Sequence, residues 1–133
     1  MRVTWWTEAL LDGYIAHGWA VVHGGVDPAH EWAFDAVQDV VEEAPVAELW
    51  AMVMALVQRA PVELLNYVAA GPLEELLCRH GPAIIDDVLL EAARDPNLRR
   101  ALGGVWGERR MDPEVARRLR SALRRWQRQS MFE

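Results

Sequence analysis

The chain has 133 residues, of which 52% are hydrophobic and seven are tryptophan. This length predicts one domain, residues 1–133, with a core that needs neither disulfide bonds nor a structural metal. The longest apolar stretch, 49–57, is well short of the roughly 20 residues that span a bilayer, and the first residues lack the apolar core of a signal peptide. A single cysteine, Cys78, is typical of a reducing compartment. These features exclude a membrane-spanning protein and predict a cytoplasmic one.

The net charge of -6 conceals an uneven distribution along the chain. Residues 1–95 hold sixteen acidic side chains and four arginines, so they carry a charge of -12. Residues 96–133 hold four acidic side chains and ten arginines, so they carry +6. This separation predicts two surfaces of opposite sign, which would attract different charged partners.

Seven prolines divide the chain, and each is followed by a periodic apolar run. Proline is tolerated at the first position of a helix, where its missing N–H would be unpaired in any case, and costs roughly 3 kcal/mol in a helix interior. Each proline therefore predicts a helix start: Pro28, Pro45, Pro61, Pro72, Pro82, Pro96 and Pro113. The prediction is an all-α fold of seven or eight short helices in an irregular bundle, with a HEAT-like stack of helices as the alternative.

The first predicted helix covers residues 4–16, where apolar residues recur irregularly. The stretch 17–25 contains glycines, neighbouring valines and a Gly-Gly pair, and this composition favours a loop or one short extended piece. Among segments longer than three residues, it is the only predicted candidate for non-helical structure.

The next two predicted helices differ in character. The helix at 28–43 is amphipathic, with an apolar stripe that includes Ala29 and Trp32. Its other side carries four carboxylates at helical spacing, which we name the acidic ridge: Glu31, Asp35, Asp39 and Glu42. The helix at 45–59 is apolar almost all round, and this pattern predicts a buried position at the centre of the bundle.

Short helices separated by minimal joints are predicted for 61–70, 72–80, 82–94 and 96–102. The segment 105–107 is predicted to be a loop whose indole, Trp106, fills part of the core. The last helix, 113–130, has an apolar stripe along one side. Another side carries what we name the arginine face: Arg117, Arg120, Arg124 and Arg128.

Three pieces of the sequence carry a resemblance to a known family. They are the run APVELLNYVAAGPLEELL at 60–77, then His80-Gly81, and ALGGVW at 101–106. Together they resemble a widespread bacterial family of small helical proteins, a domain of unknown function. The resemblance covers about 32–115, so that the first and last helices lie outside it. It implies a bacterial origin and a helical fold, and it assigns no catalytic residue.

Residues that could carry chemistry are few. His17, His23 and His30, with carboxylates nearby, could in principle hold zinc or iron, but their spacing matches no established metal motif. The adjacent pairs Glu74-Glu75 and Asp86-Asp87 point about 100° apart on a helix, so they are predicted to be first-turn residues and not an acid–base pair.

Two further side chains have similar structural explanations. Cys78 has no histidine at helical spacing that could activate it, and His80 is predicted to lie in the last turn of its helix, where a cation or donor satisfies free carbonyls. The sequence also lacks a phosphate-binding loop, a dinucleotide fingerprint and a nucleophile elbow.

We therefore expect a non-catalytic module that binds or regulates another protein, such as an inhibitor, an immunity-type partner or an assembly subunit, without cofactor or metal. The partner-binding candidates are the acidic ridge and the arginine face, and a second copy of this chain is a possible partner. The first alternative is a nucleic-acid-binding accessory protein that uses the arginine face. The second alternative is a metal-dependent enzyme that uses His17, His23 and His30.

Overall fold

A computed structural model of the protein describes residues 3–131, which are all-α, as the proline pattern predicts. No strand occurs in that range, and none of its helices is both long and apolar enough to cross a membrane. The α-helices are α1 (Glu8–Val22), α2 (Glu31–Glu43), α3 (Val46–Arg59), α4 (Leu65–Val68), α5 (Glu74–Ala92), α6 (Pro96–Leu102) and α7 (Pro113–Met131). Single 3-10 turns precede α2, α4 and α7, and a π-helical segment, Ala69–Leu73, joins α4 to α5.

Six of the seven prolines lie at helix starts. Pro96 and Pro113 are the first residues of α6 and α7, and Asp95 caps α6 by accepting hydrogen bonds from two backbone N–H groups. Pro72 follows Gly71, whose backbone leaves the helical region at φ -103° and ψ -110°, so that a new helical direction begins there. Proline is favoured at these starts because its missing N–H would have no helical partner there.

The prediction for Pro82 is wrong, because α5 runs through it without a break. An interior proline leaves the carbonyl four residues earlier without its helical donor, which is costly on local grounds. Packing between helices offsets this cost. A Cβ built on Gly81 would lie 3.0 Å from the Val115 side chain, so α5 and α7 are in close contact at this glycine. The buried residues Ile84 and Val88, which follow in α5, add to the core.

This continuity corrects two further expectations. His80 does not lie in a last turn, because twelve residues of α5 follow it, and Asp86-Asp87 is a mid-helix pair rather than a first-turn pair. Glu74-Glu75, in contrast, does occupy the first turn of α5. The difference arises because the Gly81-Pro82 step does not interrupt the helix.

The predicted loop at 17–25 is also wrong, since α1 begins at Glu8 and continues to Val22. Its end is set by Gly24, which has φ +75°, and by hydrogen bonds from the Gly24 N–H to the Val21 carbonyl and from the Gly25 N–H to the Ala20 carbonyl. This is the Schellman arrangement that closes many helices. The glycines of this stretch therefore indicated correctly that α1 ends within it. The predicted end at residue 16 lies about six residues before the observed end at Val22.

The core is centred on α3, as its composition predicts. This helix packs against α1, α4, α5 and α6 and buries five side chains almost completely: Leu49, Met52, Val53, Leu56 and Val57. Its outer side is less buried than an apolar helix implies, because Trp50 is only half-buried and Ala51 is exposed. Arg59, at the end of α3, pairs with Glu8 and Asp12 of α1 and so links the two helices at the surface.

Candidate protein-binding surfaces

All four carboxylates of the acidic ridge are exposed on α2. The opposite side of this helix is buried against the rest of the bundle through Ala33, Val37, Val40 and Val41. Within residues 3–131, no member of the ridge forms an ion pair. Its first and last members are eleven positions apart on the helix, so the ridge presents negative charge that no described cation compensates over about 16 Å.

Apolar surface lies beside the acidic ridge. Trp32, predicted to face the core, is 50% exposed because its indole lies across α1 at Gly13, where a built Cβ would come within 2.9 Å of the indole Cζ2. Ala29, predicted on the same stripe, is exposed as well. Trp19 of α1 is 38% exposed and stacks on His23, with ring centroids 5.7 Å apart. The ridge is therefore a charged strip with one half-exposed aromatic side chain, Trp32, beside it on α2.

The arginine face of α7 is exposed along its length, and its buried side consists of Val115, Ala116, Leu119 and Ala122. Arg117 pairs with Glu114 one turn earlier, and Arg120 donates to the Glu108 carboxylate at 2.9 Å. Arg124 and Arg128 have no carboxylate partner among the residues that the structure describes. Among the described residues, the face is thus neutralised in its first half, whereas the arginines of its second half have no ion pair.

The three histidines near the end of α1 have three separate partners. His17 Nδ1 lies 2.7 Å from the Tyr67 hydroxyl, and His30 Nδ1 lies 2.6 Å from Asp27 Oδ2. His23 Nδ1 lies 2.7 Å from a backbone carbonyl of α1. In the described part of the chain, no three side chains of histidine, cysteine, aspartate or glutamate are grouped so that they could hold a metal. The structure does not bring His17, His23 and His30 together.

A packed pair of tyrosines was not foreseen from the sequence. Tyr14 is 1% exposed, and its ring centroid lies 4.8 Å from that of Tyr67, whose hydroxyl lies 2.7 Å from His17 Nδ1. Burial raises the pKa of both phenols, most strongly that of Tyr14. Glycines make room for both rings: a Cβ on Gly71 would lie 2.6 Å from the Tyr14 oxygen, and one on Gly18 would lie 2.6 Å from Tyr67 Cδ1. The spacing of Tyr14, His17 and Gly18 on one helical side is the sequence signal that could have indicated this cluster.

The loop after α6 is held by the two carboxylates that begin α5. The backbone N–H of Trp106 donates to Glu74 Oε1 at 3.0 Å, and the Arg110 guanidinium donates to Glu74 at 2.9 Å and to Glu75 at 3.0 Å. Burial alone would raise the pKa of Glu75, but hydrogen bonds from Arg79 and Arg110 lower it overall. Glu74 and Glu75 therefore bind a loop rather than face a substrate together.

The expectation that Trp106 fills the core is wrong, because its side chain is 86% exposed. Val105, at 7% exposure, is the residue of this loop that packs into the core. The loop backbone is close to Glu74, since a Cβ on Gly107 would lie 2.7 Å from the Glu74 Cδ. Cys78 points to the same place, with its Sγ 3.6 Å from the Gly107 carbonyl oxygen, and burial raises its pKa. Hydrogen bonds to Glu74 therefore attach the loop backbone to α5, while the Trp106 indole projects into solvent.

Comparison with known proteins identifies a family but not an activity. The profile of a family described as "Family of unknown function (DUF6869)" matches residues 23–127. No curated protein and no solved structure was found to match the chain. The match begins at the end of α1 and extends into α7, beyond the part covered by the sequence resemblance, and it includes the acidic ridge and the carboxylates that hold the Trp106 loop. The chain therefore belongs to this family of unknown function.

Proposed function

We propose that this protein is a non-catalytic module that binds or regulates another protein through the acidic ridge of α2. The single observation that carries the proposal is the ridge itself: four exposed carboxylates that have no cationic partner within residues 3–131, beside a half-exposed Trp32. Some surface acids elsewhere, such as Glu75 and Glu114, are paired with arginines of the same chain. Others have no ion pair within residues 3–131 but lie on three different elements and form no row: Glu48, Glu63 and Asp87.

The chemistry of the ridge indicates the kind of partner. Aligned carboxylates attract a basic surface and increase its association rate, and a nearby exposed indole supplies apolar area of the kind that dominates binding energy. The partner we propose is a protein with a basic, partly apolar surface, and the module would act as its inhibitor, immunity-type partner or assembly subunit.

Nucleic-acid binding through the arginine face is the first alternative, and the observation in its favour is that Arg124 and Arg128 are exposed and have no carboxylate partner within residues 3–131. Two features weaken it. Glu108 and Glu114 already neutralise Arg120 and Arg117, and phosphate contacts contribute to affinity in proportion to the cations that remain available. The net charge of -6 would also repel a nucleic acid.

A pull-down from the source organism distinguishes these functions. The ridge variant carries Glu31→Gln, Asp35→Asn and Asp39→Asn, and the arginine variant carries alanine at all four positions of the arginine face. A matched control replaces three other exposed acids and removes the same charge: Glu48→Gln, Glu63→Gln and Asp87→Asn.

We expect one protein to be recovered with the wild type, the arginine variant and the control, and lost with the ridge variant. The purified pair should then show weaker binding at higher salt, because the contact is electrostatic. Recovery of nucleic acid that is lost only with the arginine variant would support the first alternative. Turnover of a small molecule by purified protein that recovers nothing would contradict both.

A further inference from the structure

Residues 105–110, which we name the strap, lie against the start of α5 in the connection between α6 and α7. The backbone hydrogen bonds of the strap are short turns, such as the bond from the Arg110 N–H to the Gly107 carbonyl. Among the described residues, every hydrogen bond that joins the strap to α5 or α7 uses a side chain of one of those helices. Val105 is the only buried member of the strap. Segments with so few buried side chains open locally at a lower free energy than the whole fold.

Glu74 binds both the backbone and a side chain of the strap. One carboxylate oxygen accepts the backbone N–H of Trp106 at 3.0 Å, and the other accepts the Arg110 guanidinium at 2.9 Å. A Cβ built on Gly107 would lie 2.7 Å from Glu74 Cδ, so the carboxylate rests directly on the strap backbone. Glu75, in contrast, binds the strap through the Arg110 side chain alone. Glu74 is therefore the carboxylate that holds the strap backbone to α5.

The half-buried Cys78 lies beside the middle of the strap, and its thiol donates to the Gly107 carbonyl oxygen at 3.6 Å. We infer that the strap opens and closes as one unit over Cys78 while the helices stay folded, and that Glu74 keeps it closed. Opening exposes the thiol and takes the Arg110 guanidinium away from the start of α5. The fold thus contains a device that controls access to its single thiol, and the device does not depend on the proposed use of the acidic ridge.

The reaction of the full chain with the neutral reagent N-ethylmaleimide measures this opening, because Cys78 is the one thiol of the chain. We expect the folded protein to react more slowly than the urea-unfolded chain at the same pH. Glu74→Ala removes both bonds of the carboxylate and should raise the rate at least about tenfold, since a hydrogen bond to a charged group is worth about that factor. The matched control is Glu91→Ala, which removes a carboxylate that binds Arg94 near the other end of α5 and should leave the rate unchanged.

Arg110→Ala separates opening of the strap from a change in the acidity of the thiol. Burial raises the pKa of Cys78, the charge of Arg110 lowers it, and the charge of Glu74 raises it. If these side chains acted by charge alone, Arg110→Ala would raise the pKa and slow the reaction at neutral pH, because the thiolate is the reactive form. Opening of the strap predicts the reverse, an acceleration of about threefold to tenfold, because Arg110 joins the strap to both carboxylates.

Urea below the unfolding transition distinguishes local from global opening. Local opening exposes little surface, so the rates of the wild type and of Glu74→Ala should change little with urea, whereas a rate set by global unfolding rises steeply. Any of four results would overturn the inference. They are a folded wild type that reacts as fast as the unfolded chain, a Glu74→Ala rate no higher than that of the wild type or of Glu91→Ala, a slower reaction with Arg110→Ala, and rates that follow the urea dependence of unfolding.

Discussion

Tyr14 and Tyr67 are the two tyrosines of the chain, and their rings pack against each other between α1 and α4, with centroids 4.8 Å apart. Burial raises the pKa of Tyr14 above its ordinary value near 10, because the phenolate would lose its hydration. The unfolded chain therefore releases this proton at a lower pH than the folded protein. Stability from Tyr14 is complete below about pH 10 and falls as pH rises further, by about 1.4 kcal/mol for each pH unit.

Urea unfolding of the wild type and of Tyr14→Phe between about pH 9 and pH 11.5 measures this dependence. We expect the wild type to lose stability more steeply than the variant above pH 10, while absorbance at 295 nm shows little phenolate until the protein unfolds. Equal slopes for the two proteins would mean that Tyr14 ionises as readily in the fold as in the unfolded chain. Cys78 is present in both proteins, so its own raised pKa cancels in the comparison.

The sequence predicted correctly whether a side chain is exposed where the position on its own helix decides this. The carboxylates of the acidic ridge lie on the exposed side of α2, as their spacing predicts. It failed for Trp32 and Trp106, whose indoles were expected to be buried because they are apolar. Their positions depend on Gly13 of α1 and on Glu74 of α5, which are distant in sequence and which no local pattern connects to them.

Helix α5 shows how tertiary packing overrides a local signal. Pro82 is exposed in the middle of this helix and contributes little to the core, yet it removes one hydrogen bond from the helical ladder. Gly81 is the residue that the packing requires, because its missing Cβ allows the approach of Val115. The helix is continuous since contacts with α7 and the core outweigh the cost of the proline.

We expect Pro82→Ala to raise the free energy of unfolding by about 1–2 kcal/mol, because it restores the hydrogen bond and relieves the ring clash. Alanine also gives the unfolded chain more conformational freedom than proline does, and this reduces the gain in stability. Pro96→Ala is the matched control: Pro96 is the first residue of α6, where the N–H is free in any case, so this change should be neutral or slightly destabilising. Chemical denaturation of the three proteins measures both changes, and a loss of stability with Pro82→Ala would contradict the expected cost of a proline inside α5.

Across the whole molecule, residues that are close in sequence are directed to different places. His17 lies against Tyr67 of α4, His23 closes α1, and His30 binds Asp27 before α2. A metal site needs its ligands to converge at about 2 Å from one ion, and within residues 3–131 the three histidines are not grouped with one another or with further ligands in this way. The fold therefore disfavours the metal-dependent alternative.

We expect elemental analysis of protein purified without a histidine tag or chelator to find zinc and iron well below one equivalent per chain. The reason is that, in the described part of the chain, the three histidines do not converge on one point where a metal could bind. A His23→Ala, His30→Ala variant should give the same result as the wild type. One tightly held zinc, lost in that variant, would restore the metal-dependent enzyme as the leading function.

The sequence by itself determined the all-α class, the stripes of α2 and α7, the start of α6 and the separation of charge along the chain. These features depend on capping, proline chemistry and helical periodicity, which act within a few residues. Tertiary structure alone decided the continuity of α5 at Gly81-Pro82, the tyrosine pair and the exposure of Trp106. Each of these depends on contacts between distant residues, whose energies exceed the local preferences and are absent from any short window of sequence.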